Sequence, residues 1–527
     1  MASINRSASF HVAKAAGTVM IAFVFSNLSG LARQILVAQA FGTGAEMEAF
    51  NAANRVSETL FNLVAGGALA SAFIPTFSGL LAKEERERAW KLASAIANLV
   101  LSTLCVLCGL AWLFAPQIVR YLLAPGFALD AVKETQTIHL LRLMLPSALL
   151  FGLSGLVMGI LNSYQVFFIP AITPSMYQLG MIFGVLVLSP RLGIDGLGWG
   201  VVIGAAFHLG LQIPALWKLR GKYIPWLGMR MPEVREVVRL FAPRLLGVAV
   251  VQLNFWVNTR IASTQPEGSV TGIVLGFTLM LMPQAAIAQS IATAALPTLS
   301  RQFALGKMDE FRTTLTSSLR GILLLSLPAA VGLILLRQPI IVLLYQRGAF
   351  NDRSTQLVAW ALLWYGIGLV GHCVVEILAR AIYAMHDTRT PVWVGAGAMS
   401  LNILFSFWFS AWFHQLGWMP HGGLALANSL ATGLEMIGLL LIMNRRLARL
   451  EVGSLFMGAL QSGLGSAGMA VVLVIWLSRM GGYTAGVVGL GGIIIGCVFY
   501  VGIEWILKTP EIRWATRLLI QRLFNAR

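Results

Sequence analysis

The sequence predicts an all-α polytopic membrane protein with about 14 transmembrane helices, arranged as two pseudo-repeated six-helix lobes plus two C-terminal helices. Three observations predict it. Of 527 residues, 57% are hydrophobic and only 11% are charged, where soluble chains carry about 25% charged residues. Mean hydropathy is +0.78, and apolar runs of about 20 residues, the length that spans a bilayer, recur along the whole chain. The chain also repeats itself at an offset of about 222 residues.

The apolar runs lie near 14–40, 50–80, 92–119, 138–161, 167–188, 196–217, 240–263, 271–298, 314–336, 355–385, 391–413, 422–443, 455–478 and 483–506. The first contains Arg33 and lacks a small-residue cleavage site, so it reads as a span and not as a cleaved signal. If the N-terminus is cytoplasmic, the inner loops and both ends carry 25 Lys and Arg against seven in the outer loops. That asymmetry places both termini in the cytoplasm. It also accounts for the net charge of +17 with no nucleic-acid partner, anionic membrane lipid sufficing. Cys105 and Cys108 form a CxxC within a span, where i,i+3 packing explains them better than metal or redox chemistry.

The repeat pairs Ala72-Phe73-Ile74-Pro75-Thr76-Phe77-Ser78 with Ala294-Ala295-Leu296-Pro297-Thr298-Leu299-Ser300, and the segment Leu122–Phe127 with Leu343–Phe350. Six spans separate the copies, so both halves share one orientation, an architecture of transporters that rock about a central site. The expected division is an N-lobe over 1–222, a C-lobe over 223–450, an appended helix pair over 451–508, and a basic amphipathic stretch over 509–527 lying on the inner leaflet. No loop is long enough for a soluble catalytic domain, and there is no phosphate-binding GxxxxGK[ST].

The candidate functional residues are charges within the apolar runs. Arg33, Arg55, Arg142, Arg244, Arg260 and Arg320 stand against only Glu58, Glu376 and Glu435. A cation at the bilayer centre costs roughly 2.5–3.5 kcal/mol on insertion scales, so a net positive set implies an anion or water within the protein. Each also has a plainer reading. Arg55 pairs with Glu58 at i,i+3, and Arg260 and Arg244 snorkel toward opposite ends of the seventh span. Arg142 and Arg320 lie near span ends. Glu376 pairs with Arg380, or Glu376 and Glu435 serve as proton or cation sites.

Several segments resemble the MurJ/MviN family. Ser29-Gly30-Leu31-Ala32-Arg33-Gln34, Phe41-Gly42-Thr43-Gly44 and Glu48-Ala49-Phe50 resemble its first helix and loop. Ala70-Ser71-Ala72-Phe73-Ile74-Pro75 and Gly422-Gly423-Leu424-Ala425-Leu426-Ala427 follow in order, and the stretch from Leu378 to Pro391, LARAIYAMHDTRTP, is the sharpest match. The resemblance implies a flippase that carries the undecaprenyl-diphosphate-linked peptidoglycan precursor, lipid II, from the inner to the outer leaflet. It implies two lobes around a cationic cavity, with a lipid-tail groove on the last two helices. Residues 451–508 would form that groove, and the cell-wall synthesis machinery would be the partner.

The sequence departs from the family pattern where basic residues are expected, carrying Asn27, Phe61 and Thr278, and it has Gln34 where an acid is common. In a proposed sodium site, Asn258 and Ser406 stand in place of acids while Asn402 is kept. The expectation is therefore that Arg33, Arg55, Arg260 and Arg244 bind the diphosphate through charge-assisted hydrogen bonds. Glu48 and Glu58 would position these arginines or gate the outer side. Asn258, Asn402, Ser406, Glu376 and Glu435 are candidates for coupling Na+ or H+, and the membrane potential would help return an emptied cationic site. No metal or other cofactor and no catalytic residue is expected. The alternatives are a flippase for another polyprenyl-diphosphate glycan, such as an O-antigen or capsule unit, and a cation-coupled multidrug exporter. A membrane-embedded enzyme would need a carboxylate pair with metal spacing, which is not seen.

Overall fold

A computed structural model of the chain describes residues 22, 24–64, 67–447 and 450–513. Every regular element among them is helical. Among the described residues, eleven helices are long and apolar enough to cross a membrane, or twelve with the bent pair Pro232–Ala242 and Gly247–Ser263 taken as one span. In order they match the third to fourteenth apolar runs. The first run is helical over 24–41, its start lying outside the described residues. The second is two helices, Ala45–Val64 and Gly67–Ala82. Most of the expected amphipathic stretch 509–527 also lies outside the described residues.

The chain forms two compact units. The first runs to Glu267 and includes Arg347–Phe350; the second comprises Gly268–Gln346 and the chain from Asn351 onward. The first unit therefore takes in the helix Pro232–Ser263, which the sequence reading assigns to the C-lobe.

In the first unit, α1 (Ala45–Val64), α2 (Gly67–Ala82), α3 (Arg86–Leu113) and α6 (Ile194–Gly210) all pack along the central α4 (Ala131–Ser163), while α5 (Phe168–Phe183) packs on α6 and α7 (Pro232–Ser263) on α1 and α2. Local chemistry sets the helix starts. Asp130 caps α4, its carboxylate accepting from the amides of Val132 (3.0 Å) and Lys133 (3.2 Å). Glu46 and Glu48 complement the dipole in the first turn of α1. The turn before α1 needs Gly42, which sits at φ +59° with the Ala349 carbonyl where a Cβ would be. The Ala349 amide in turn donates to the Gln39 carbonyl at 2.8 Å.

In the second unit, α11 (Asp352–Ala384) is the central column, flanked by α8 (Ser269–Gln284), α9 (Ser290–Ala304), α10 (Met308–Leu335) and α13 (His421–Arg446). Asn351 caps α11 by accepting from the Ser354 amide at 3.0 Å. On the far side of α13 lies α12 (Arg389–Gln415), and α14 (Val452–Met480) joins α10 to α15 (Ala485–Ile506). Leu324, Leu336, Met469, Leu473 and Tyr500 form a core between these last helices.

Candidate substrate-binding site

The charged residues singled out by the sequence separate into distinct environments. Arg33, on the first helix, points at α5. Its Nη1 donates to the Met181 sulfur at 3.4 Å, and its Nε is sealed from solvent with no partner among the described residues. A thioether is a weak acceptor, and this guanidinium has no carboxylate partner among the described residues.

Arg55 is better satisfied. Its Nη1 donates to Glu58 Oε2 at 3.0 Å, and its guanidinium lies 4.8 Å from the centroid of the Phe255 ring on α7. Its Nε is also buried and unpartnered among the described residues. Glu58 further accepts from Asn54 Nδ2 at 2.8 Å. The i,i+3 pair expected on α1 thus exists, and Glu58 holds Arg55 while staying 45% exposed itself. Next to it, Trp256 Nε1 donates to Thr59 Oγ1 at 2.8 Å, and Thr59 bonds Gln252 at 3.2 Å, which ties α7 to α1.

Glu58 lines a cavity of about 530 Å³ among α1, α4, α5 and α6. Polar groups on its wall include Asn54, Ser57, Asn162, Tyr177, Gln178 and His208; Phe61 and Phe151 supply aromatic surface. His208 is held by Ser154, whose Oγ lies 2.6 Å from its Nδ1. Gln178 is one turn before Met181 on α5 and packs against Gly30 of the first helix, so Arg33 adjoins this wall. Phe61 shows what one departure from the family pattern does: where a basic residue is expected, an aromatic ring packs against Phe151 with centroids 5.1 Å apart.

The remaining candidates lie apart from this cavity. Arg260 is exposed and donates to the Tyr121 carbonyl, in keeping with its snorkelling alternative. The side chain of Arg244 lies outside the described residues. Glu48 is buried and paired with Lys133, whose ammonium also lies 4.1 Å from the Phe127 ring centroid. Arg142 donates to the Trp112 carbonyl at 3.1 Å and covers that ring. Arg320 is bound by Glu511 at 2.5 and 3.2 Å and by Ser454.

Of the ion-coupling candidates, Asn258 belongs to the first unit and donates to Asn254 at 3.1 Å. Asn402 and Ser406 belong to the second, where the serine hydroxyl donates to the asparagine at 3.1 Å. Glu376 accepts from Arg380 at 2.7 and 2.9 Å. Glu435 lies against Gly395 and makes no hydrogen bond or ion pair among the described residues. There is also no cluster of metal-ligating side chains among the described residues.

Sequence reasoning missed Lys133, one of the seven Lys and Arg of the outer loops, because nothing local signals that it is buried against Glu48. It missed the cavity because Phe151, Tyr177 and Gln178 look like ordinary span residues until α4 and α5 come together.

The family model for "Lipid II flippase MurJ" matches residues 37–490. The lipid II flippase MurJ of Burkholderia cenocepacia is 30% identical over 80% of this chain and 82% of its own length. A probable lipid II flippase MurJ of Bdellovibrio bacteriovorus is 30% identical over 92% of this chain and 93% of its own. A solved structure of lipid II flippase MurJ in an inward closed conformation superposes with a TM-score of 0.80 at 26% identity, covering 94% of this chain and 99% of that one. An inward-facing multidrug resistance MATE family transporter of the MOP superfamily shares the fold, with a TM-score of 0.69 at 14% identity over 80% of this chain and 94% of its own. Family match, relatives and fold agree over nearly the whole length: the chain belongs to the MurJ family of lipid II flippases.

Proposed function

We propose that this protein flips lipid II from the inner to the outer leaflet of the bacterial plasma membrane by alternating access, supplying precursor for peptidoglycan synthesis. The reading is carried by the family match over residues 37–490, and it is supported by Arg33, a half-buried guanidinium whose Nη1 donates to the Met181 sulfur and which has no carboxylate partner among the described residues. A diphosphate would offer charge-assisted hydrogen bonds to the guanidinium groups of Arg33 and Arg55. Glu58 would keep Arg55 aimed while the substrate enters. The positive-inside charge bias supports cytoplasmic termini. Coupling to Na+ or H+ would use Glu435, Glu376, Asn258, Asn402 or Ser406. The membrane potential, worth about 2.3 kcal/mol per charge per 100 mV across the full field, would draw the emptied cationic site back toward the cytoplasm.

The deciding experiment is lipid II transport in vesicles reconstituted with the wild-type chain, Arg33→Ala and Arg55→Ala. Transport that depends on both arginines is expected. Undiminished transport in both variants would remove the site assignment, and no transport by the wild type would remove the function.

A further inference from the structure

The chain between α6 and α7 is pinned in place yet leaves its large side chains uncovered. Residues 221–228 run without regular structure, and α3 holds them flat. Asn98 Nδ2 donates to the carbonyls of Ile224 (3.1 Å) and Trp226 (2.9 Å), and Ser94 Oγ accepts from the Ile224 amide at 3.2 Å. The Tyr223 hydroxyl donates to Asn98 Oδ1 at 2.5 Å. Gly228 permits the closest approach, sitting at φ +59° with the Ala95 methyl where its own Cβ would be.

With its backbone fixed in this way, the segment turns apolar groups outward: Trp217 is 75% exposed, Tyr223 64% and Met229 59%. Residues 217–231 also carry four cations, Lys218, Arg220, Lys222 and Arg230, and no acid. All four are exposed, and none forms an ion pair among the described residues. A shallow pocket of about 610 Å³ places Trp226 and Arg230 beside three acids near the start of α3. Two of these are already engaged, Glu85 by Arg88 at 3.1 Å and Glu87 by Lys91 at 2.7 Å, which leaves Glu84 against an excess of positive charge.

Ser94 and Asn98 stand on the first turns of the apolar run 92–119, so the segment lies where that span meets the bilayer surface. Trp and Tyr concentrate at this level, and Lys and Arg close to it attract anionic headgroups. At that depth the contacting surface is lipid, and the uniformly positive sign selects an anionic one. We propose that residues 217–231 form an interfacial strap that binds anionic phospholipid. Trp217 and Tyr223 enter the headgroup layer, and Lys218, Lys222 and Arg230 hold the headgroup charge. Asn98 then ties α3 to the lipid-bound strap.

The experiment is hydrogen–deuterium exchange of the full-length chain in nanodiscs of phosphatidylcholine, with and without phosphatidylglycerol. Exchange over 217–231 is expected to slow about 5-fold or more when phosphatidylglycerol is present, the effect of about one engaged cation. Lys218→Gln/Lys222→Gln/Arg230→Gln should abolish that difference, and so should high salt. Arg301→Gln/Lys307→Gln/Arg445→Gln removes as much charge from exposed positions of the second unit and should leave it intact. Nanodiscs carry the same lipid on both faces, so neither the orientation of the chain nor its substrate enters the result. Fast exchange in both lipids overturns the proposal and leaves the exposed rings to a protein partner. Slow exchange that ignores phosphatidylglycerol overturns the choice of an anionic lipid. Loss of the difference in both triple variants shows that net charge acts without the strap, and overturns it too.

Discussion

The Lys133 ammonium donates to the Glu48 carboxylate across the first unit, and the two side chains are only 10% and 2% exposed. The pair joins the first turn of α1 to the first turn of α4, the column on which that unit is built. Removing one partner of a sealed pair leaves an uncompensated charge and typically costs about 3–5 kcal/mol. Glu48→Ala should therefore destabilise the protein by about that much, read by denaturant unfolding of the purified chain in detergent. A change below about 1 kcal/mol would show that the pair is solvated.

Arg260 and Arg33 should behave differently although both are arginines within apolar runs. Arg260 is exposed and already donates to a backbone carbonyl, whereas Arg33 has only a thioether. Charge-assisted hydrogen bonds contribute about 1.5–3 kcal/mol each, so Arg33→Ala should lower lipid II transport about 10-fold or more. Arg260→Ala should stay within about 2-fold of wild type, one surface hydrogen bond being worth little. Equal losses in the vesicle assay would place Arg260 at the substrate.

Gly126 has the Ser263 carbonyl where its Cβ would be, and its amide lies 3.3 Å from Ser263 Oγ. The obstacle is backbone, which cannot rotate away as a side chain can. Gly126→Ala should cost about 1–3 kcal/mol, lowering the midpoint of thermal unfolding. An unchanged midpoint would show that the segment after Tyr121 moves aside freely.

Asp387, in the turn between α11 and α12, is held well below the usual carboxylate range. The hydroxyl and amide of Thr390 contribute most, Arg446 and the Arg389 amide adding to them. A depressed folded-state pKa adds stability that is complete above the unfolded value of about 3.9 and is lost as the pH falls from there through the folded value. Asp387→Asn should thus be less stable than wild type at pH 7, with the gap closing in acid below about pH 4. A gap that persisted at low pH would mean that geometry, and not charge, holds the turn.

The spans were legible because a bilayer demands about 20 apolar residues whatever the tertiary fold. Arg55–Glu58 and Glu376–Arg380 were legible because i,i+3 and i,i+4 spacing fixes their meeting locally. Lys133 was not, since its partner is 85 positions away and the approach is set by helix packing. Arg320 is similar: near a span end it reads as a residue that reaches water, yet Glu511 from beyond the last span clamps it. The cavity was hidden for the same reason. The smallness of Gly180 and Gly204, which lets α5 lie against α6, is visible in the sequence, but their mutual contact is not.

The four residues Arg347–Phe350 belong to the first unit, yet they are encoded well after its last helix ends at Ser263. During synthesis, all the helices of the first unit leave the ribosome before the amide of Ala349 that binds the Gln39 carbonyl exists. The unit thus cannot be completed until the chain through residue 350 has been made. A truncated chain ending at Glu267 would hold every helix of the unit and still lack that closing piece.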